Sequence, residues 1–309
     1  MRKIVFLFII YYLEASPISP GLNSWFSASK LSYAGGGNLI FTPNSRATNP
    51  ANFSSLRSFS TSFILYPSGI QAQSASVFLP KDSRFLIAAI NHISYGAFYG
   101  YSQDAIPTDN YTSSETWLRF DYSSSLNELP IRYGVSNQFY FSKLEQYNSA
   151  KLYFSFGSIW ELEKYKTSIG LSVDDFVLDI SSNTKISQTS PLRYNIGLCK
   201  QLKYLPLKLS IDYLSIAANN KDYFISGIFS ITKKLSLSWG TSTRKFSQNI
   251  NEDIVKTIFG SSGLGISFMN HDIIVGYGLY FYSRFYGEKI IVSTSIIQKT
   301  DNFRPNWFT

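Results

Sequence analysis

The chain has little of what most catalytic and metal sites are built from. Its 309 residues include one cysteine, Cys199, and two histidines, His92 and His271. A single cysteine excludes an intramolecular disulfide and a cluster of thiolate ligands, and Cys199 falls beside Gly197 on a face of small residues, as a filler. The motifs of zinc peptidases, serine hydrolases and nucleotide-binding loops are also absent. We therefore expect no catalytic residue, no metal, no cofactor and no enzymatic activity.

Charged residues and long apolar runs are scarce as well. Charged side chains make up 16% of the chain, against about 25% in ordinary soluble domains, whereas aromatic residues reach 17%. Such a composition would aggregate in water unless a large surface were covered, and lipid can cover it. No apolar run of about 18 residues occurs after the N-terminus, which excludes membrane-spanning helices. A closed β-barrel is the other structure that satisfies its backbone hydrogen bonds within lipid.

The formal net charge of +8 raises the question of nucleic-acid binding. The basic residues are scattered along the chain, and no basic helix or RNA-binding aromatic motif accompanies them. We therefore expect no nucleic-acid partner, and the surface of a barrel implies membrane lipid instead. Many of the basic residues fall in predicted turns, namely Lys81, Lys164, Lys203, Lys233 and Lys234.

Hydrophobic residues alternate with small or polar residues in every segment that can form a strand. In 168–173, for example, Ile, Leu and Val alternate with Ser, Gly and Ser. A period of two marks a strand with one apolar face, and the small, nearly uncharged second face suits the lumen of a barrel. We predict an all-β fold, a transmembrane antiparallel up-and-down β-barrel of about 14 strands with an N-terminal plug segment. The predicted strands are 57–65, 71–79, 84–95, 114–124, 131–142, 149–161, 165–174, 193–201, 207–216, 223–231, 235–243, 259–268, 272–282 and 288–297.

The alternation also predicts which side chains point outward. A small replacement on the inner face, such as Gly197→Ser, is expected to be mild. In the strand 193–201, the residues expected to face lipid are Tyr194, Ile196 and Leu198, and those expected to face the lumen are Asn195, Gly197 and Cys199.

The connections between these strands fall into two alternating sets. One set is uniformly short, and the other contains three long connections, 96–113, 176–192 and 244–258. Short periplasmic turns and long external loops are typical of bacterial outer-membrane barrels, so we expect the short set and both termini to be periplasmic. Three carboxylates near the second long loop could hold a cation but are expected to be solvated, namely Asp174, Asp175 and Asp179.

The two ends of the chain differ from the barrel. Residues 1–16 have the basic start and short apolar stretch of a cleaved signal peptide, with a buried N-terminal strand as the alternative. Residues 17–55 are rich in Pro, Ser, Gly and Asn and lack alternation. We expect a compact plug inside the barrel or at its periplasmic mouth, or else a flexible periplasmic arm. The barrel is predicted over 56–297 and a polar tail over 298–309.

Two short motifs lie in the N-terminal segment, Gly35-Gly36-Gly37 and Asn49-Pro50-Ala51. They resemble the small-residue Gly-Gly segment and the Asn-Pro-Ala motif at the start of the PorV/PorQ family, and the run 192–207 looks more like the PorQ branch. Lys30 and Tyr33 depart from the Ala-rich pattern of that family. The resemblance implies a fourteen-stranded barrel of the FadL-like type, in the bacterial outer membrane, with these motifs in an N-terminal plug. It also implies accessory work in type IX secretion and in cell-surface attachment of exported proteins.

Two functions remain open at this point. In the first, the barrel is a non-enzymatic scaffold that binds other secretion or surface-attachment proteins. Its candidate partner contacts are Tyr99, Tyr101 and Tyr111 in the first long loop, since aromatic anchors dominate interfaces, although the same residues suit an interfacial belt. In the second, the barrel is a FadL-like transporter of hydrophobic small molecules. An ion porin and a soluble β-sandwich are the weaker alternatives.

Overall fold

Fourteen β-strands form one closed antiparallel barrel in the part of the chain that the computed structural model describes, in which each strand pairs with its sequence neighbours and β1 pairs with β14. The strands are β1 (Ser58–Leu65), β2 (Gln71–Lys81), β3 (Arg84–Tyr101), β4 (Pro107–Ser125), β5 (Ile131–Leu144), β6 (Tyr147–Leu162), β7 (Thr167–Ser182), β8 (Arg193–Gln201), β9 (Leu207–Ile216), β10 (Asn220–Ser230), β11 (Leu235–Ser242), β12 (Ser262–Asn270), β13 (Ile273–Ser283) and β14 (Glu288–Lys299).

The structure describes residues 25–42, 49–53, 57–101, 104, 106–126, 129–144, 147–182, 192–216, 220–243, 261–283 and 288–299. The expected signal peptide 1–16 lies outside these ranges, as do most of the expected tail and the predicted loop 244–258. The predicted fold class is confirmed, and each of the fourteen predicted strands corresponds to an observed one.

The predicted parity of the strands is also confirmed. Along β8, Tyr194, Ile196 and Leu198 are exposed on the outside, while Asn195, Gly197 and Cys199 are buried on the inside. The same alternation places Ser, Gly and Asn inside and large apolar side chains outside on most of the other strands. An outward apolar face is unstable in water and stable in lipid, so the sequence pattern and the closed sheet require the same environment.

The predicted first long loop, 96–113, is wrong. β3 runs on to Tyr101 and β4 begins at Pro107, and the two strands pair as far as Tyr101 with Pro107, across two irregularities. Gly96, Gly100 and Pro107 give this segment the composition of a turn. Gly96 instead has a φ of +85° at the first irregularity, where a bulge needs a residue without a side chain. β7 similarly continues to Ser182, so part of the second predicted loop is strand.

The connections differ between the two ends of the barrel. The end that carries the start of β1 and the end of β14 is called the turn end, and the opposite end is called the loop end. Every connection at the turn end is short, as predicted, whereas the connections after β7 and β11 at the loop end are longer. The turn-end connections are 82–83, 126–130, 163–166, 202–206, 231–234 and 271–272.

One short α-helix, α1 (Ala28–Ser32), precedes the barrel strands within the described ranges. Ser27 caps it, because its Oγ accepts a hydrogen bond from the Lys30 backbone N–H at 3.2 Å. The helix packs against β11, β12, β13, β14 and β1. Among the described residues, no helix is both long enough and apolar enough to cross a membrane.

The outward orientation of β8 can be tested by introducing a charge. Ile196→Arg should lower the free energy of unfolding by about 2–4 kcal/mol if it lies near the bilayer midplane. The matched control is Leu162→Arg at the turn end of β6, which should cost about 0–1 kcal/mol because the arginine reaches the interface. Reversible unfolding in lipid vesicles measures both values. Equal costs at the two sites would contradict the membrane register.

Candidate functional site

The interior of the barrel is occupied by residues 25–42 and 49–53, which are called the lumenal segment. Its residues are almost all buried, including Leu31, Ala34 and Ala51 at 0–1% exposure. Its backbone approaches the barrel wall most closely where inward positions are glycine. These glycines form two rows, the first made of Gly134, Gly157, Gly170 and Gly197 on β5 to β8, and the second of Gly240, Gly263, Gly265 and Gly278 on β11 to β13.

The first glycine row receives the Asn-Pro-Ala motif. A Cβ at Gly157 would overlap Asn49 Oδ1, and one at Gly134 would overlap the Pro50 carbonyl. Because the wall has no side chain at these glycines, Asn49 Nδ2 comes close enough to donate to the backbone carbonyls of Ser158, at 3.1 Å, and Leu171, at 2.9 Å. Asn49 Oδ1 accepts from the Ala51 backbone N–H at 2.9 Å, which closes a local turn. The motif therefore joins the lumenal segment to the backbone of β6 and β7.

The second glycine row receives the backbone of α1 and the residue that follows it. A Cβ at Gly263 would overlap the Leu31 carbonyl, one at Gly278 the Ala28 carbonyl, and one at Gly240 the backbone of Tyr33. A side chain at any of these positions would push the helix away from the wall. The glycines of β11 to β13 are therefore complementary to the shape of the segment.

Position 197 is crowded in the same way, so the expectation that Gly197→Ser is mild does not hold. A Cβ there would lie 2.8 Å from Asp212 Oδ1 and 3.1 Å from Leu39 Cγ. Both neighbours are held in place by other contacts, so Gly197→Ser requires the segment or Asp212 to shift. The inner face is not a tolerant lumenal surface at this position.

The Gly-Gly-Gly motif surrounds a buried carboxylate on β9. Asp212 Oδ2 accepts from the backbone N–H groups of Gly37, at 2.8 Å, and Asn38, at 3.4 Å, and from Ser210 Oγ at 3.0 Å. Gly37 has a φ of +69°, which a residue with a side chain rarely adopts. A Cβ at Gly36 would lie 2.8 Å from the Cβ of Phe224 on β10, so this turn fits only glycine.

Lys30 is the second buried charged residue beside the Gly-Gly-Gly turn. Lys30 Nζ donates to the Gly36 carbonyl at 2.9 Å and to Asn38 Oδ1 at 2.6 Å. Asp212 is 0% exposed and Lys30 is 1% exposed. Charges this deeply buried require opposite charge or hydrogen-bond partners, and charge-assisted bonds are the stronger class. Lys30, Gly36, Gly37, Asn38 and Asp212 are called the Asp212 cluster below.

Four buried aromatic side chains run from the lumenal segment to the wall, and they are called the aromatic row. Phe26 contacts Trp117 of β4 with ring centroids 5.4 Å apart. Trp117 contacts Tyr140 of β5 at 5.3 Å, and Tyr140 contacts Tyr153 of β6 at 5.9 Å. Leu31, Ile93 and Tyr280 belong to the same apolar cluster. The row provides a continuous aromatic surface inside a barrel whose wall is otherwise rich in Ser, Gly and Asn.

Asp174 and Asp175 are not solvated loop residues. Both are buried in β7, where the pairing with β6 shifts register and Asp175 has a φ of +68°. The shift turns two successive carboxylates inward, and Asp175 forms an ion pair with Arg193 at 2.6 Å. Asp179 lies in the same strand and pairs with Lys151 through the backbone. No group of three or more His, Cys, Asp or Glu side chains that could hold a metal occurs in the described ranges.

The candidate partner residues lie on the extended β3–β4 hairpin and not on a loop. Tyr99 and Tyr101 of β3 are 78% and 62% exposed. Tyr111 of β4 is half-buried, because its ring stacks on Phe98 with centroids 5.3 Å apart. Two of the three candidates are therefore available at the surface of the loop end.

Sequence reasoning missed Lys30, Asp212 and the aromatic row as parts of one interior. The signal for Asp212 was present, since it is a carboxylate at a position of β9 where the alternation places inward residues. The signal for the row was weaker, because Trp117, Tyr140 and Tyr153 lie on three different strands.

The barrel, a closed fourteen-stranded sheet with residues 25–42 and 49–53 inside it, shares its fold with solved outer-membrane barrels. The toluene transporter TodX of P. putida is similar, with a TM-score of 0.60 and 11% sequence identity over 90% of this chain and 99% of that one. The deltaS2 mutant of TodX, described as a monoaromatic hydrocarbon channel, gives a TM-score of 0.56 and 11% identity over 89% and 98% of the two chains. At this identity the likeness concerns the fold. No protein-family model matches the chain, and no curated protein sequence matches it.

The Asp212 cluster can be tested with the single native cysteine as a reporter. Cys199 is 1% exposed and lies in a cluster with Tyr33 and Leu39 of the lumenal segment. Asp212→Asn keeps the shape of the side chain but removes its charge. A hydrogen bond to a charged group contributes about 1.5–3 kcal/mol, so thiol labelling of Cys199 should become about tenfold faster or more.

The matched control for this variant is Asp109→Asn, which removes an exposed carboxylate from β4. It should label at the rate of the unmodified protein. An unchanged rate in Asp212→Asn, with native heat-modifiable mobility, would show that the cluster does not hold the segment.

Proposed function

We propose that this protein is a non-enzymatic outer-membrane channel that admits small hydrophobic compounds. The observation that carries the proposal is the aromatic row, which lies across the interior of a FadL-like barrel. An apolar solute can replace the contacts between these rings as it passes. A hydrated ion cannot, since it would lose its water without gaining polar partners. The fold likeness to a toluene transporter and hydrocarbon channel supports the same class of substrate.

The proposed location and orientation follow from the two faces and two ends of the barrel. The outward apolar side chains match a bilayer, and short turns are periplasmic in outer-membrane barrels. The turn end would then face the periplasm and the extended β3–β4 hairpin the outside. A signal peptide over 1–16, cleaved on export, belongs to the same proposal.

The lumenal segment is proposed to be the plug expected over 17–55. Gly35-Gly36-Gly37 and Asn49-Pro50-Ala51 both make contacts that join the segment to the wall. These contacts account for both motifs without a protein partner. The resemblance to the PorV/PorQ family therefore supports the plugged barrel more than it supports one function.

A secretion scaffold of PorV/PorQ type is the second candidate. It is favoured by the exposure of Tyr99 and Tyr101 on the protruding hairpin, where a partner protein could bind them. On this alternative the barrel would assist type IX secretion and surface attachment, and its interior would stay closed.

Uptake measurements on intact cells distinguish the two candidates. Loss of the protein should lower the uptake of a labelled monoaromatic hydrocarbon, and the plasmid-borne gene should restore it. Trp117→Ala shortens the largest side chain of the aromatic row and should also admit a bulkier two-ring compound. The matched control, Trp160→Ala, makes the same change on the outer face of β6 and should leave selectivity unchanged.

The same strains should be scored for cell-surface proteins. Normal uptake together with loss of surface-attached cargo would reject the channel and support the scaffold. A double variant, Tyr99→Ser with Tyr101→Ser, should then reproduce the cargo defect.

A further inference from the structure

Six exposed lysines lie in or next to three neighbouring turns at the turn end. They are Lys164 and Lys166 between β6 and β7, Lys200 near the end of β8 and Lys203 between β8 and β9, and Lys233 and Lys234 between β10 and β11. The six are called the basic arc, because the strands β6 to β11 follow one another around the barrel. In 163–166, 200–206 and 231–234 the one exposed carboxylate is Glu163.

The arc is a property of one end of the barrel. At the loop end, among the side chains that the structure describes, the exposed cations Lys143 and Lys221 are matched by Asp104 and Asp109. Lysines that looked scattered in the sequence are brought together because alternate turns of an up-and-down barrel meet at the same end. Over the described part of the whole turn end, the exposed carboxylates Asp82, Glu163 and Asp272 are outnumbered by the six lysines together with Lys81 and Arg84, so the topology concentrates positive charge there.

The turns of the arc are joined by backbone hydrogen bonds. The Gln201 N–H donates to the Lys166 carbonyl at 3.0 Å, the Ser230 N–H to the Pro206 carbonyl at 2.9 Å, and the Met269 N–H to the Lys234 carbonyl at 2.7 Å. The lysines thus project from a continuous rim, and their backbone order does not have to be created when a ligand binds. Pre-organisation of this kind favours binding.

Exposed aromatic side chains alternate with the lysines. Tyr165 is 61% exposed and Tyr204 is 87% exposed. Lys164 Nζ lies 5.8 Å from the ring centre of Tyr165, and Lys203 Nζ lies 5.2 Å from that of Tyr204. Trp160, two residues before the end of β6, is exposed on the apolar outer face next to these turns. Lysine and tyrosine next to an apolar band are typical of side chains at the headgroup level of a membrane.

We propose that the basic arc binds the headgroups of anionic phospholipids in the leaflet at the turn end. Clusters of four to eight basic residues beside a membrane-spanning element are the known signature of anionic-lipid recognition. Lipid fits the arc better than an acidic protein does, because the charges follow the circumference and are continuous with the apolar outer face. The inference rests on the membrane placement proposed above but not on the transported compound.

The test compares lipid association of the full protein in vesicles of phosphatidylcholine that contain spin-labelled lipid. We expect spin-labelled phosphatidylglycerol to associate with the barrel surface about fivefold more strongly than spin-labelled phosphatidylcholine at low salt. The preference should fall towards one in about 1 M salt, since screening removes interactions between exposed charges. Because both leaflets have the same composition, the result does not depend on the orientation of the barrel.

Paired variants assign the preference to the arc. Lys203→Gln with Lys234→Gln should reduce the preference for phosphatidylglycerol at least twofold, and replacement of all six lysines should abolish this preference. The matched control, Lys143→Gln with Lys221→Gln, removes the same number of charges from the loop end and should retain it. If the six-lysine variant does not fold, the double variant and the salt titration still decide the matter.

Equal association of the two lipids with the unmodified protein would overturn the inference and leave an acidic protein as the occupant of the arc. Preference that survives in the double arc variant and disappears in the control would also overturn it. Failure of the hydrocarbon uptake test would leave these results untouched, so the two proposals can fail separately.

Discussion

The interior of this barrel depends on one buried carboxylate. Asp212 is fully covered, and its partners are backbone N–H groups of Gly37 and Asn38 together with Ser210. A carboxylate placed there without these partners would be strongly destabilising, because a buried polar group left without its hydrogen bonds costs about 1–3 kcal/mol, and a charged group costs more. The lumenal segment must therefore lie where its Gly-Gly-Gly turn can meet β9. The position of α1, the second glycine row and Phe26 of the aromatic row follow from that placement.

The wall glycines provide the space that this placement of the lumenal segment requires. The residues that approach closest to the wall are backbone groups of α1 and of the Asn-Pro-Ala turn, and they approach at Gly263, Gly278 and Gly134. The interior is filled with chain, and the wall has glycine where the backbone of that chain comes closest. The small inner face, which indicated a barrel lumen in the sequence, is also the surface against which the lumenal segment packs.

The strands could be predicted from sequence because their signal is local. A period of two is visible within about six residues of a strand. It predicted both the strand and the face that contacts lipid, as in β8. The β3–β4 hairpin was missed because Gly96, Gly100 and Pro107 have the composition of a turn but occupy bulges and a strand end. A segment inside the barrel could be expected from the sequence, but its contacts could not be predicted, since the contact of Gly37 with Asp212 joins residues 175 positions apart. A pattern within one strand carries no information about which distant backbone will cover it.

The aromatic row and the Asp212 cluster differ in the free energy that is needed to displace them. Separating two rings of the aromatic row forfeits about 0.5–1.5 kcal/mol per aromatic pair in addition to the apolar area that they bury, and contact with an apolar solute would restore much of both. Freeing the Asp212 cluster exposes or orphans two buried charges, and no apolar solute can compensate for this loss. Phe26 precedes α1 and does not belong to the Asp212 cluster, whose residues Gly36, Gly37 and Asn38 follow the helix. In the channel proposed above, the aromatic row is therefore the part of the interior that an apolar solute would displace at the lower cost, and the Asp212 cluster would stay in place.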